Sequence, residues 1–200
     1  PQAYRYLSQA IDLQTHGHNQ QAVKEYTRAL DSGLDHPAAH YNLGLLLKEA
    51  GNEDEARKHL TASLSHPELA LGANLALGRL ARSKGDMAEA ARYLLQALRR
   101  ADALSVDESQ SAQLNQLYDT ILASQNVGDQ QTLSQIVENT LSFLSGPEWL
   151  KRLRQVRQQL ESERAGPQVV PIAEMLAEDG IDQARVVTIH EGIDLERVRQ

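Results

Sequence analysis

The residues of this 200-residue chain that could bind a metal or move a proton are, first, its seven histidines. His16 and His18 are two residues apart. His36 and His40 are four apart, but Pro37 lies between them and places His36 before a helix rather than on its face. Neither pair is accompanied by the carboxylate cluster or the further histidine of a typical zinc site. We therefore interpret these histidines as surface or capping residues and predict no metal site and no cofactor.

The other residues give no catalytic constellation either. His59, His66 and His190 stand alone in the sequence, and the chain contains no cysteine that could act as a thiolate nucleophile. Its glycines form neither a phosphate-binding loop nor a Gly-x-Ser-x-Gly elbow. The acidic run at 53–55 falls where a helix begins, and acidic side chains there stabilise the helix dipole. We therefore predict that the chain is not an enzyme.

A basic segment at 151–157 carries four cations that could contact RNA or an anionic surface. Its apolar neighbours predict a helix with Trp149 on the apolar face and with Lys151, Arg152, Arg154 and Arg157 on the other. Charge runs on amphipathic helices are usually solvated faces, so we expect a capping helix. RNA or anionic-surface binding remains an alternative function, although the net charge of −7 makes nucleic acid an unfavoured partner. The same face could instead hold the acidic C-terminal tail.

The elements that position these side chains repeat with a period of 34 residues. The glycines of three turns permit the positive φ that ends one helix, and an Asn or Asp just after each glycine can cap the next. Two columns of small residues let paired helices approach closely, and a large column fills the space between them. The columns are Gly17/Gly51/Gly85, Ala10/Gly44/Gly78, Ala22/Ala56/Ala90 and Tyr26/Leu60/Leu94.

A 34-residue helix–turn–helix unit with these columns resembles the tetratricopeptide repeat family. The resemblance covers three copies within 3–104, and the aromatic usual near the start of the first helix is Tyr6 in copy one but His40 and Asn74 in the others. It implies an all-α fold, a right-handed superhelical solenoid of antiparallel helix pairs. We expect three repeats in 1–104, a degenerate fourth helix pair in 105–146, a capping helix in 147–165 and an acidic tail or linker in 166–200.

The expected tail carries seven acidic and three basic residues from Pro167 onward, which is more than half of the net negative charge of the chain. Residues from Pro171 to Glu178 can form a short helix. The tail could be a linker to a further domain, a segment folded back on the solenoid, or partly disordered. Its apolar content disfavours full disorder.

In tetratricopeptide repeats the first helix of each pair lines a concave groove. Carrying the family's groove positions onto this chain predicts ten binding positions, which we call the groove residues. These are Tyr4, Leu7, Ile11, Tyr41, Asn42, Leu45, Lys48, Leu75, Arg79 and Arg82. The first half of the set is apolar and the second half is basic, which predicts a peptide or partner helix with apolar and acidic side chains. The same residues could instead pack on a neighbouring helix or a second copy of the chain.

The chaperone-binding subclass of the family uses a carboxylate clamp, of which only Asn42 is present here, so we do not expect chaperone tails as ligands. The preferred function is a non-catalytic, cytoplasmic scaffold or adaptor for a protein or peptide partner, with homo-oligomers as a further expectation. The chain opens on Pro1 without an initiator Met, so an alternative is a regulatory or targeting module of a larger multidomain enzyme or sensor. No apolar run reaches the ~20 residues that span a bilayer.

Overall fold

A computed structural model describes residues 2–124, 129–163 and 169–177. Within those ranges the regular elements are helices and no strand occurs, which confirms the all-α prediction. The greater part of the predicted tail, residues 178–200, lies outside the described ranges. The helices are α1 Gln2–Thr15, α2 Asn19–Asp31, α3 Pro37–Glu49, α4 Glu53–Ser63, α5 Pro67–Ser83, α6 Met87–Ala103, α7 Glu108–Ser124, α8 Gln130–Leu144, α9 Trp149–Glu163 and α10 Ile172–Ala177.

The chain divides into an N-terminal unit, Pro1–Ala101, and a C-terminal unit, Asp102–Gln200. Three helix pairs follow one another in the N-terminal unit, and each pair turns at a glycine. Gly17, Gly51 and Gly85 adopt φ values of 77°, 78° and 79°. Side chains with a Cβ are strained in this left-handed region, so the glycine column is required by the turn itself.

The small and large columns form the contact between the two helices of a repeat. The Cγ of Leu60 lies 2.7 Å from the position of a Cβ built on Gly44, and the Cγ of Leu94 lies 2.6 Å from one built on Gly78. The alanines of the second small column, at 22, 56 and 90, are completely buried. Leu60 of α4 therefore packs directly on the backbone of α3, and Leu94 of α6 packs in the same way on α5.

The junctions between repeats carry polar bonds at equivalent positions. Asn19 donates to Glu49 at 3.4 Å, and one repeat later the Oγ of Ser83 donates to Glu53 at 3.1 Å. Both pairs span 30 residues, and each partner of the second pair lies 34 residues after its counterpart in the first. The start of one second helix is thus bonded to the end of the following first helix.

Two ion pairs join the second and third repeats. Lys84 contacts Asp54 at 2.6 Å, and this hydrogen bond lowers the pKa of the Asp54 carboxyl. Arg57 donates to Glu89 through both terminal nitrogens, at 3.0 and 2.5 Å. The bond with Glu89 raises the pKa of the Arg57 guanidinium.

Predicted capping by the turn residues holds in the third turn only. Asp86 accepts a hydrogen bond from the backbone N–H of Glu89 at 2.9 Å, as an N-cap should. Asn52 precedes α4 but its side chain makes no capping bond, and Asn19 is already the first residue of α2. In the C-terminal unit Asp129 caps α8 in the same way as Asp86.

The core of the C-terminal unit is formed by α7 to α10. The apolar stripe of α8 is buried, as are Leu114 and Tyr118 of α7 and Leu153 and Val156 of α9. The described part of the predicted tail also lies in this core, because residues 169–173 and Leu176 are buried and α10 packs against α8. These tail residues are a folded part of the unit.

Candidate functional site

The groove residues of α1 form the most exposed apolar strip of the N-terminal unit. Tyr4 and Ile11 are 65% and 48% exposed. They are seven residues apart and therefore share one face of the helix. Leu7 lies between them and is half-buried against the core. Tyr4 and Ile11 therefore form an exposed apolar strip on α1.

The groove residues of α3 are more deeply set. Tyr41 and Leu45 are half-buried and pack against the core cluster. The Tyr41 hydroxyl occupies the place that a side chain on Gly72 would take, so α3 and α5 meet at this point. Burial raises the pKa of the Tyr41 hydroxyl above its ordinary value. Tyr41 is a predicted groove residue, and the structure places its hydroxyl in the junction between repeats.

Asn42 is directed into a polar chain that runs through the repeat core. Its side-chain amide donates to the Tyr26 hydroxyl at 3.1 Å, and that hydroxyl donates to Gln14 at 2.7 Å. Tyr26 is completely buried, and this burial raises its pKa while the bond from Asn42 lowers it. Sequence reasoning assigned Asn42 to partner binding alone, but the structure also gives it a bonding role between the first two repeats.

The remaining groove residues follow along α3 and α5. Lys48 and Leu75 are half-buried, and Arg79 and Arg82 are exposed. Both arginines already make an interaction within the protein. Lys48, Arg79 and Arg82 therefore lie on the first helices α3 and α5, and both arginines are at the surface and engaged within the protein.

The basic helix α9 differs from its prediction. Arg157, expected on a solvated face, is buried to 5% exposure. Arg152 is half-buried and donates to the backbone carbonyls of Phe143 and Ser145. The prediction of a solvated basic face was therefore wrong for these two arginines. Its physical reason is that their guanidinium groups satisfy backbone carbonyls and a buried carboxylate.

That carboxylate belongs to Asp102, which is completely buried in the C-terminal unit. It forms an ion pair with Arg157 and accepts hydrogen bonds from the Tyr118 hydroxyl at 3.0 Å and from the backbone N–H of Ile172 at 2.9 Å. The Ser105 hydroxyl lies 3.2 Å from it. Burial, followed by the neighbouring Asp102 charge, raises the pKa of Tyr118 well above its ordinary value.

The helical spacing of α9 contained a signal for this arrangement. Arg157 follows Leu150 by seven residues and Leu153 by four, and it precedes Leu160 by three. It therefore falls on the apolar stripe. No pattern in the sequence identifies Asp102 as the partner, because the two residues are 55 apart.

His40 and His59, which are 19 residues apart in the sequence, meet inside the second repeat. The Nδ1 atoms of His40 and His59 are 2.9 Å apart, and the rings stack with centroids 5.1 Å apart. Antiparallel helices joined by a short turn bring the start of α3 beside the end of α4, which is the signal that could have found this pair. Burial lowers the pKa of both imidazoles. Among the described residues no third histidine or carboxylate completes a metal site.

Consecutive antiparallel helix pairs define the class of helical-repeat proteins. The profile of the tetratricopeptide repeat matches residues 7–70 and 46–106, and the chain belongs to that family. Tetratricopeptide repeats are protein-interaction modules. No curated protein matches the chain. None of the helices in the described ranges combines the length and the apolar character needed to cross a membrane.

Proposed function

We propose that the chain is a non-catalytic scaffold or adaptor whose groove residues bind a peptide or helix of a partner protein. The observation that carries this proposal is the exposure of Tyr4 and Ile11. In the described part of the chain, the exposed large apolar side chains are these two and Leu104. Two of the three therefore lie at positions that the repeat register assigns to the groove. Tyrosine is a favourable anchor for a partner because it combines a large contact area with a polar tip.

The side chains beyond this apolar strip favour a ligand that also carries acidic groups. Lys48, Arg79 and Arg82 follow on α3 and α5. Guanidinium groups bind carboxylates with two parallel hydrogen bonds. We therefore propose a ligand with an apolar anchor followed by aspartate or glutamate side chains.

Selection of peptides from a displayed random library on the immobilised full-length chain tests this proposal. We expect enrichment of peptides that combine aromatic or aliphatic residues with acidic ones. Fluorescence anisotropy of a selected peptide should then show at least about tenfold weaker binding to the Tyr4→Ala/Ile11→Ala variant, because that variant loses two apolar contacts. Arg79→Glu should weaken binding of the same peptide through charge repulsion, and the remaining affinity should depend less on salt.

The matched control is Leu104→Ala, which removes an equally exposed apolar side chain outside the groove residues. It should leave peptide affinity unchanged. Affinity that survives the double substitution on α1 and falls with Leu104→Ala would assign binding to another surface. Selected peptides without acidic residues would contradict the second half of the proposal.

A further inference from the structure

The described tail residues are held in the C-terminal unit in the way that proteins hold peptide ligands. The apolar side chains of this segment, which we call the docking segment, are buried. They are Val169, Val170, Ile172, Ala173 and Leu176. Its helix α10 has six residues, far fewer than an isolated helix needs to be stable in water. The helix of the docking segment is therefore stabilised by its contacts with the rest of the unit.

The polar contacts to the docking segment are made to its backbone. Arg157 donates to the carbonyl of Val170 at 2.8 Å, and the N–H of Ile172 donates to Asp102 at 2.9 Å. Asn139 of α8 donates to the carbonyl of Leu176 at 2.9 Å. Main-chain hydrogen bonds that fix a segment, combined with burial of its apolar side chains, are also found where proteins recognise peptides.

The residues that receive the segment keep partners of their own. Asp102 is paired with Arg157 and also accepts from Tyr118 and Ser105. Departure of the segment removes one hydrogen bond from the carboxylate and one from the guanidinium, and it leaves the ion pair in place. The receiving site therefore avoids the large penalty of an orphaned buried charge.

We propose that the C-terminal unit contains a second peptide-binding site, formed around Asp102, Asn139 and Arg157, and that the chain fills it with its own docking segment. The site takes an apolar peptide whose C-terminal part forms a short helix. Its occupant exchanges with an added copy of the same segment. This site is separate from the groove residues, so its test does not depend on the function proposed above.

The experiment uses the full-length chain and a fluorescein-labelled peptide, PQVVPIAEMLAE, which has the sequence of residues 167–178. In the Val170→Asp/Ile172→Asp variant the chain's own segment carries two charges that cannot enter the apolar site. We expect this variant to bind the peptide at least about tenfold more tightly than the unaltered chain, because occupation of the site in cis lowers the apparent affinity for the added peptide.

Two controls define the site. Glu174→Gln changes an exposed residue of the docking segment. This variant should bind the labelled peptide with the same low affinity as the unaltered protein. Adding Asn139→Ala to the double variant should weaken peptide binding several-fold, because it removes the donor to the Leu176 carbonyl. Absence of peptide binding by a folded double variant would overturn the proposal. Loss of helical circular dichroism beyond that of the six residues of α10 would also overturn it, since the segment would then be an inseparable part of the core.

Discussion

Leu60 packs directly on the backbone of Gly44, with its Cγ 2.7 Å from where a Cβ on that glycine would lie. A glycine inside a helix normally costs about 1 kcal/mol relative to alanine. Here the alanine methyl would overlap Leu60, and overpacking of a filled core costs about 1–3 kcal/mol. Because the gain in helix propensity offsets part of the overlap, Gly44→Ala should lower the free energy of unfolding by up to about 2 kcal/mol, measured by far-UV circular dichroism in urea.

A double-mutant cycle isolates this contact. In a Leu60→Ala background the methyl group added at position 44 has room, so Gly44→Ala should become neutral or stabilising. An equal cost in both backgrounds would show that Leu60 is not the cause.

The buried ion pair of the C-terminal unit gives a second prediction. Asp102→Ala leaves the Arg157 guanidinium buried without its carboxylate, which costs about 3–5 kcal/mol. Trp149 is the only tryptophan of the chain and lies in the C-terminal unit, so its fluorescence in urea follows this unfolding step. The double variant Asp102→Leu/Arg157→Met should be destabilised less than Asp102→Ala, because it removes both charges together. Equal losses in the two variants would contradict a paired role.

The polar chain through Tyr26 predicts a cost for removing one oxygen atom. Tyr26→Phe leaves the Asn42 amide and the Gln14 carbonyl without the hydroxyl that joins them, which should cost about 1–2 kcal/mol. Urea denaturation followed by circular dichroism measures this loss. Tyr93→Phe offers a matched control in another repeat, because Tyr93 is also buried and contacts Arg92 through its ring, which phenylalanine retains. If Tyr26→Phe lowered the free energy of unfolding no more than the control does, the hydrogen bonds of the Tyr26 hydroxyl would not stabilise the fold.

The stacked histidines predict a dependence of stability on pH. Burial lowers the pKa of His40, with Asp35 acting in the opposite direction and Lys58 in the same one. Burial, then the charge of His40, then Lys58 lower the pKa of His59, and Glu55 partly offsets them. The unfolded chain therefore binds protons near the ordinary value of 6.5 while the folded chain does not. Stability is constant well above that pH and falls as the pH decreases through 6.5 toward the lowered values.

His59→Gln tests this dependence, because glutamine can still form a hydrogen bond with His40 but does not titrate. The free energy of unfolding, measured in urea between pH 8 and pH 5, should fall less steeply in this variant. His18→Gln removes an exposed imidazole and serves as the control. A steep fall that persists in His59→Gln would assign the effect to other groups.

The sequence predicted the repeats well because each column has a local cause. The turn glycines need a positive φ, and Gly44 and Gly78 need to lack a Cβ, so residue type and spacing were sufficient. The C-terminal unit was harder. The bond from Arg157 to Asp102 joins residues 55 positions apart, and its location depends on packing that no local pattern records. The same limit applies to Asn42, whose position was correctly placed on a first helix but whose bond to Tyr26 crosses between repeats.

The matched polar bonds at the repeat junctions also have a consequence for the order of the repeats. Each repeat presents one set of charges to its predecessor and another to its successor. If the second repeat were duplicated in tandem, Glu53 of the first copy would face Glu49 of the next, and two carboxylates would stand where Ser83 now donates to Glu53. Asp54 would face Ala50 and lose its lysine. The junction charges therefore favour one order of the repeats along the chain. An array with the repeats in another order would unfold less cooperatively than this one.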